Sequence, residues 1–158
     1  YVQSSLQHTM MNTFVQGIPV TTSMGSLTTN PNQNKMSVLE LVKSFLGTPY
    51  LWGGRHFSGI DCSGFVQVVY KVLGKSLPRD ASQQQKEGRA IRFNDLTLGD
   101  LVFFHEDQKV KHVGIYLGDH QIIHAHGYVR IDQLNKKGII QEKTQKQTHM
   151  YHSAKRLA

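Results

Sequence analysis

The stretch of sequence that decides the fold runs from residue 48 to residue 66 and reads Thr48-Pro-Tyr-Leu-Trp-Gly-Gly-Arg-His-Phe-Ser-Gly-Ile-Asp-Cys-Ser-Gly-Phe-Val66. It holds the only cysteine of the chain, Cys62, after a series of turn-forming proline and glycine residues. An apolar run with helical spacing follows, from Phe65 to Leu73, and Gly74 is a typical helix end. The pattern predicts that Cys62 lies on the first turn of a buried helix.

A cysteine at a helix start has a chemical advantage as a nucleophile. Unpaired backbone N–H groups and the positive end of the helix dipole favour a thiolate, so we expect a lowered pKa for the Cys62 thiol. The alternative is a buried structural cysteine, which is the commoner fate of a lone Cys. The glycines and polar residues around Cys62 are unusual for a plain core position, and they favour the nucleophile.

Six motifs then occur in order between about Lys35 and about Arg130: Tyr50-Leu-Trp-Gly-Gly, Asp61-Cys-Ser-Gly-Phe, Leu77-Pro-Arg-Asp-Ala-Ser, Gly99-Asp-Leu-Val-Phe-Phe, His112-Val-Gly-Ile-Tyr-Leu-Gly and Ile123-His-Ala. In these motifs the chain resembles the NlpC/P60 cysteine peptidases. The resemblance implies a papain-like fold without a cofactor, and hydrolysis of γ-D-glutamyl bonds to a diamino acid in peptidoglycan stem peptides or muropeptides. It also implies a place in the bacterial cell envelope, either periplasmic or secreted.

Composition sets limits on the other classes of function. The 158 residues suggest one domain large enough for a core, and no apolar run approaches the ~20 residues of a membrane span. The first residues lack a signal peptide and an initial Met, so we expect a mature or trimmed product. The net charge of +7 suits an anionic cell wall, whereas no nucleic-acid-binding module accompanies the basic residues. Nucleic acid is therefore not an expected partner.

The first 34 residues differ in composition from the rest of the chain. They contain no Lys, Arg, Asp or Glu, and they end in the linker-like stretch Asn30-Pro-Asn-Gln-Asn34. We expect residues 1–34 to be either an uncharged arm packed on the domain or the remnant of an upstream domain, and residues 35–158 to form the catalytic domain. Relatives in the resembled family often carry an SH3-like domain at this point.

The order of the predicted elements indicates an α+β domain with helices against one face of an antiparallel sheet. Ser37 and Glu40 form a capping-box signature for a helix that ends at Gly47, and Asp80 is a good N-cap for a helix through Glu87. Strands follow at residues 101–104, 111–117 and 121–126, with a further one at 129–131. Residues 118–120 are predicted to form the loop of a hairpin.

A cysteine peptidase also needs a base and a group that orients it. His112 opens a strand, with its side chain on the same face as Gly114, and the resemblance implies that it is the base. His124 and His126 share one face of the returning strand, so strand periodicity does not choose between them. A three-residue loop places His126 directly opposite His112, whereas the Ile-His-Ala motif of the family implies His124.

The resemblance further implies substrate-binding roles for Tyr50, Asp61, Ser63, Arg79 and Asp80. In some family members a carboxylate at the Arg-Asp motif binds the free amine of an L-alanyl-γ-D-glutamyl peptide. Asp61 and Asp80 are also suited to capping helices, and this alternative stays open. The backbone N–H of Cys62 is expected in the oxyanion hole. Trp52 is expected to be structural, holding the Gly53-Gly54 turn.

Three further alternatives were weighed against a cysteine peptidase. His112, His124 and His126 are candidate zinc ligands with an open position, but no outer-shell acid is evident, so we expect no metal. A Cys-His-His centre also serves papain-like amidases or acyltransferases on another amide or ester. Outside enzymes, the basic surface would suit a cell-wall-binding or toxin module.

Overall fold

The computed structural model describes residues 37–158 and two short strands before them. Those strands, β1 (Thr13–Val15) and β2 (Ile18–Val20), pair antiparallel with Thr13 opposite Val20. The chain divides into two compact units, Tyr1–Lys35 and Met36–Ala158. The expectation for residues 1–34 falls, apart from β1 and β2, outside the described residues and stays a prediction.

The larger unit begins with α1 (Val38–Lys43), whose predicted capping box is present: Glu40 N donates to Ser37 Oγ (3.2 Å), and Ser37 N donates to Glu40 Oε2 (2.9 Å). The helix ends at Lys43, before the predicted end at Gly47. After Lys43 the backbone hydrogen bonds change from the i→i−4 pattern to the i→i−3 pattern, as in Leu46 N to Lys43 O (3.1 Å). A two-stranded ribbon follows, β3 (Arg55–His56) and β4 (Gly59–Ile60).

The second helix, α2 (Cys62–Val72), starts at the cysteine and is the main helix packed on the sheet. Asp61 is its N-cap, with Oδ1 accepting from Gly64 N (2.7 Å). Its apolar stripe is completely buried at Phe65, Val66 and Val69. The third helix, α3 (Ala81–Gln84), is shorter than the predicted helix through Glu87, because the next two hydrogen bonds are again i→i−3.

The sheet has seven antiparallel strands in the order β10-β9-β8-β7-β6-β11-β5. Because β10 also pairs with β11, the strands from β6 to β11 close into a ring. Their bounds are β5 (Arg89–Ile91), β6 (Leu101–Glu106), β7 (Lys109–Gly118), β8 (Gln121–His126), β9 (Tyr128–Asn135), β10 (Gly138–Ile140) and β11 (Gln147–Arg156). The predicted α+β class is confirmed, and β5, β10 and β11 are strands that the sequence analysis missed.

Two apolar clusters lie on opposite faces of the sheet. One contains the α2 stripe together with Val113, Ile115, Ile123 and Ala125. The other contains Val102, Phe104, Tyr116, Ile122, Leu134 and Ile139. Alternating residues of β7 and β8 therefore serve the two faces, as the period of a strand requires. None of the helices in the described part of the chain is long and apolar enough to cross a membrane.

The β7–β8 hairpin positions the histidines. Gly118 pairs with Gln121, so the loop is Asp119-His120, both with positive φ (48° and 58°), one residue shorter than predicted. A register shift between Tyr116 and Gly118 compensates for this difference, and Ile115 pairs with Ile123. Continued along both strands, that register places His126 opposite His112 and His124 closer to the turn.

Candidate active site

Two adjoining grooves meet at the start of α2. The first, of about 550 Å³, is lined by residues that include Cys62, His112, His126 and His149. The second, of about 430 Å³, is lined by residues that include Trp52, Asp61, Ser63, Arg79 and Asp80. Tyr50, Cys62 and Lys111 line both. Of the predicted site residues, only His124 lies outside these grooves, and it is buried behind His112.

Cys62 is buried at the junction of the two grooves. Its Sγ lies 4.0 Å from the carbonyl oxygen of Lys111, and among the described residues it has no hydrogen bond to His112. Burial raises the pKa of the Cys62 thiol, and it outweighs the opposite effect of the Val113 and Ser63 N–H groups. The expected lowering of this pKa is therefore wrong. The helix start contributes in the expected direction, but desolvation of the thiolate is the larger effect.

His112 is the first of three buried groups connected by hydrogen bonds. Its Nε2 lies 2.8 Å from Nδ1 of His124, and Nε2 of His124 lies 3.0 Å from Oδ2 of Asp132. His126 is exposed, and its ring centroid is 6.4 Å from that of His112. The hydrogen bond thus selects His124 as the partner of His112, although strand register alone favours His126.

Asp132 is a site residue that the sequence analysis missed. Burial alone raises the pKa of Asp132, but hydrogen bonds from His124 and Arg130 outweigh it and lower the pKa to about 2. Arg130 Nε donates to Oδ2 (2.8 Å) and Glu142 N donates to Oδ1 (3.1 Å). Arg130 and Asp132 are two residues apart in sequence, so they lie on the same face of β9, and this spacing was the available signal. The strand was predicted to end at residue 131, one residue before Asp132.

The charge of Asp132 determines the tautomers of both histidines. A carboxylate only accepts hydrogen bonds, so Nε2 of His124 carries a hydrogen. Burial lowers the pKa of His124, so this ring is neutral and its Nδ1 accepts a hydrogen bond from Nε2–H of His112. Burial, followed by the nearby His124 and His149, lowers the pKa of His112 well below its usual value. His112 is therefore also neutral, and its lone pair is on Nδ1.

His149 of β11 completes the surroundings of His112. The two rings stack at 4.1 Å between centroids with 24° between their planes. Burial lowers the pKa of His149 to about 3. No local signal around His149 points to the site, because its position depends on the pairing of β11 with β6 and β10.

A second network holds the other side of Cys62. Both oxygens of Asp61 are engaged by the protein: Oδ1 by Gly64 N, and Oδ2 by Gly53 N at 2.8 Å. Arg79 pairs with Asp61 and also donates from Nη1 to Ser63 Oγ (2.9 Å). Burial alone raises the pKa of Asp61, but the Arg79 hydrogen bond and the backbone N–H donors lower it below its usual range. Asp61 caps α2 as the sequence predicts, and it also orders the residues that line the groove.

The structural role expected for Trp52 is wrong. Its side chain is 86% exposed at the edge of the second groove. The Gly53-Gly54 turn is held instead by the Asp61 carboxylate and by the hydrogen bond from Gly54 N to Leu51 O (2.8 Å). Deeper in the groove, Tyr50 is half-buried.

Asp80 is exposed on the wall of the second groove and is the N-cap of α3. Gln83 Oε1 accepts from Asp80 N (3.4 Å), and the two residues form a capping box. The capping role is therefore present. Asp80 lines the same groove as Cys62.

Known proteins that are similar to this chain share one family. The NlpC/P60 family profile matches residues 47–148. A γ-D-glutamyl-L-lysine dipeptidyl-peptidase of Bacillus cereus is 44% identical over 106 residues, covering 63% of this chain and 32% of that protein. The murein DD-endopeptidase MepS/murein LD-carboxypeptidase of Escherichia coli is 39% identical over 92 residues, covering 58% of this chain and 49% of that protein. The chain thus spans about a third to a half of the length of these curated relatives.

Solved structures give the same result. The crystal structure of an NlpC/P60 family protein from Bacillus cereus superposes with a TM-score of 0.65 at 38% identity, covering 77% of this chain and 40% of that one. The NlpC/P60 domain of the peptidoglycan hydrolase SagA superposes with a TM-score of 0.61 at 31% identity, covering 76% of this chain and 96% of that one. The residues that the family profile matches include Cys62, His112 and His124. The chain belongs to the NlpC/P60 family.

Proposed function

We propose that residues 35–158 form a cysteine endopeptidase domain that hydrolyses γ-D-glutamyl–diamino acid bonds in peptidoglycan stem peptides. The observation that carries this proposal is that the thiol of Cys62 shares a groove with His112, which is hydrogen-bonded to His124. The names of the relatives, a γ-D-glutamyl-L-lysine dipeptidyl-peptidase and a murein endopeptidase, support the substrate class. The catalytic residues of the proposal are Cys62, His112 and His124.

In this mechanism Cys62 Sγ attacks the carbonyl carbon of the γ-D-glutamyl bond as its proton moves to Nδ1 of His112. The carbonyl oxygen becomes an oxyanion, and the backbone N–H of Cys62 at the start of α2 stabilises it. His112 then returns the proton to the departing amine of the diamino acid, leaving a γ-glutamyl thioester on Cys62. Water, deprotonated by His112, hydrolyses the thioester and releases the free thiol.

The resting enzyme holds a neutral thiol and a neutral imidazole in this account. Burial raises the pKa of Cys62 and lowers that of His112, so both shifts disfavour a preformed thiolate–imidazolium pair. Proton transfer accompanies attack, and His112 acts as a general base. His124 holds His112 in the Nε2–H tautomer, and the anionic Asp132 holds His124 in turn.

The second groove is the proposed site for the amino end of the substrate. Asp80 offers an exposed carboxylate, and Tyr50 lines the groove beside Cys62. We assign them to the free α-amine of an N-terminal L-Ala that precedes the γ-D-glutamyl residue. Arg79 is held by Asp61 and Ser63, so these three residues shape the groove around the acyl group. The enzyme is then most active on peptides already released from the glycan.

The cell envelope is the proposed place of action, because the named relatives include a murein endopeptidase and the chain carries a net charge of +7 that suits an anionic wall. The proposal includes both the periplasm and the outer surface reached after secretion. An SH3-like companion domain stays a prediction from the family resemblance.

The test is digestion of the synthetic peptide L-Ala-γ-D-Glu-L-Lys-D-Ala, with the products identified by mass spectrometry. The proposal expects L-Ala-D-Glu and L-Lys-D-Ala as the only products. A parallel digestion with meso-diaminopimelate in place of L-Lys determines the diamino acid. Cleavage at any other amide bond would contradict the proposed bond specificity and would favour an amidase of different substrate range.

A further inference from the structure

The rings of His112 and His149 stack on each other, although their strands are not neighbours in the sheet. His112 lies on β7 and His149 on β11, with β6 between them. Phe104 of β6 pairs with His112 in register, and its ring centroid lies 5.9 Å from that of His112 and 6.1 Å from that of His149. The hydrolysis proposed above uses His112 and gives His149 no role.

We propose that His149 is a positioning residue for the base: its ring covers one face of His112, fixes the plane of that ring and keeps water away from it. This cover is a property of the fold and is independent of the activity. Its effect on catalysis rests on the proposed function, because it requires His112 to be the base. The consequence is a peptidase that keeps its base available under mildly acidic conditions.

The stack leaves no room for water on one face of His112. The two ring centroids are 4.1 Å apart and the ring planes differ by 24°, which is a direct contact between two flat rings. His112 lines a groove of about 550 Å³, yet it is only 6% exposed. His149 is half-buried and lines the same groove, so it takes the contact with solvent that His112 would otherwise have.

Several contacts hold the ring of His149 in this position. Its Nδ1 lies 2.9 Å from Thr148 Oγ1, and the ring of His126 meets it edge-on at 4.8 Å between centroids. The backbone of His149 pairs with Ile139 of β10. Burial is the largest cause that lowers the pKa of His149 to about 3, so the covering ring is neutral near neutral pH and brings no positive charge to His112.

A metal site is the alternative for these histidines, because one ring nitrogen from each of His112, His124 and His149 lies within 4.8 Å of the others. The sequence argument against zinc was that no outer-shell acid is evident, and the contact of Asp132 with His124 shows that this argument is wrong. The geometry disfavours a metal for another reason. His112 Nε2 and His124 Nδ1 share a hydrogen between them, and His149 presents its face to His112. The three lone pairs therefore do not meet at one ion.

The cover determines the pH range in which the base is available. Water solvates imidazolium better than neutral imidazole, so the exclusion of water disfavours the protonated ring. Burial is the largest cause that lowers the pKa of His112 well below its usual value. His112 is neutral above its pKa and protonated below it. Activity is therefore lost only as the pH falls through this lowered pKa.

The other titratable or charged groups around His112 remain in place when the cover is removed. Those that act on it or share its groove from the neighbouring elements are Cys62 of α2, His124 and His126 of β8, and Arg130 of β9. The rest of the groove adds Tyr50, His105, Glu106, Asp107 and Lys111. His149 itself becomes charged only near its pKa of about 3, which lies below the pH range of the test. A change in pH dependence on truncation of His149 therefore reports the cover.

The test compares kcat/KM at about pH 8 and about pH 5.5 on L-Ala-γ-D-Glu-L-Lys-D-Ala. The native chain should keep most of its activity at the lower pH. His149→Ala opens one face of His112 to water and moves its pKa back toward the usual value of about 6.5, so activity at the lower pH should fall by up to about tenfold. His149→Phe keeps a flat ring against His112 without ring nitrogens, and it should behave like the native chain.

His152→Ala is the matched control, because His152 lies on the same strand, is exposed and stands outside the residues that line the groove. It should leave the ratio of the two rates unchanged. An unchanged ratio in His149→Ala would overturn the proposal. So would a His149→Phe variant that loses activity at the lower pH as His149→Ala does, since the ring nitrogens would then be what matters. An equal change in His152→Ala would mean that any truncation on β11 has this effect, and it would also overturn the proposal.

A titration that needs no activity uses the Cys62→Ala background. The ring Cε1–H signal of His112, identified by its loss in His112→Gln, is followed by NMR as the pH is lowered. Its midpoint should lie below about 6.5 while His149 is present, and the addition of His149→Ala should raise it. A midpoint at or above this usual value with His149 in place would overturn the proposal even if no His149 variant folds. If the midpoints behave as expected but the native chain cleaves no peptide, the cover is retained and only the proposed function fails.

Discussion

His124 Nε2 on β8 lies 3.0 Å from Asp132 Oδ2 on the neighbouring strand β9, and both side chains are buried. This contact places a hydrogen on Nε2 of His124 and leaves Nδ1 of His124 to accept from His112. In the proposed mechanism His124 has no fixed negative charge of its own, so it would orient His112 without strongly stabilising the protonated form of His112. The negative charge is on Asp132, which follows His124 in the series of hydrogen bonds that begins at His112. There the carboxylate fixes the tautomer of His124, and His124 in turn fixes the tautomer of His112.

Asp132→Asn should lower kcat by about 100-fold, within the range typical of general acid–base contributions, and change KM little. The amide of Asn can donate as well as accept, so the tautomer of His124 is no longer fixed. Asp119→Asn, in the β7–β8 turn, is the matched control and should leave kcat unchanged. Equal kcat values for Asp132→Asn and the native chain, with both proteins folded by thermal melting, would show that the His112–His124 pair works without this carboxylate.

His124→Ala should cost much more activity than His126→Ala. His124 makes the hydrogen bond to His112, whereas His126 is exposed and has no hydrogen-bonding contact with His112 in the described residues. Steady-state rates on the same tetrapeptide measure the difference. The reverse ranking would mean that the third group of the site is the one that strand register alone favours.

The pH dependence of thiol labelling should follow the raised pKa of Cys62. A raised pKa leaves less thiolate at neutral pH than a free cysteine peptide has, so iodoacetamide should react more slowly with Cys62 than with the peptide. The rate should rise steadily as the pH passes above the usual thiol range of about 8.5, with no plateau under mildly acidic conditions. Rapid labelling at mildly acidic pH would instead indicate a resting thiolate–imidazolium pair. The His112→Ala variant then tells whether His112 is the cation of that pair.

Acetylation of the alanine amine tests the assignment of Asp80. If Asp80 and Tyr50 bind a free ammonium group, the acetylated peptide should be cleaved more slowly by up to about tenfold, because Asp80 is exposed and an ion pair at an exposed carboxylate contributes about 0–1 kcal/mol. Asp80→Asn should remove most of this discrimination, and Asp119→Asn serves again as the control. Equal cleavage of both peptides would make Asp80 a helix cap only, and the intact wall would become the better substrate candidate.

The parts of the site that were predictable from the sequence are those with local causes. The start of α2 at Cys62, its cap Asp61 and the capping box of α1 each depend on residues within one helical turn of each other. β11 is different: it has few apolar residues, and Ala154 is the one of its ten residues that is fully buried, so no alternation of apolar and polar residues marks it. Its pairing with β6 and β10 places His149 against His112, and this pairing spans a long separation in sequence.

The predicted lowering of the pKa of Cys62 is wrong for a similar reason. The helix-start effect is local and has the predicted direction, but the burial that outweighs it comes from the packing of α2 on the sheet. Asp132 was missed because its contact with His124 depends on the length and register of β9. In both cases the decisive interaction joins segments that only the complete sheet brings together.

The most direct test of the account is the rate of Cys62→Ala on L-Ala-γ-D-Glu-L-Lys-D-Ala, measured by mass spectrometry beside the native chain. The account predicts that hydrolysis falls to background, a loss of at least about 1,000-fold, since the covalent route disappears with the thiol. The melting temperature should change little, because a single small side chain is removed. Turnover of the peptide by a folded Cys62→Ala protein at close to the native rate would contradict the assignment of Cys62 as the nucleophile.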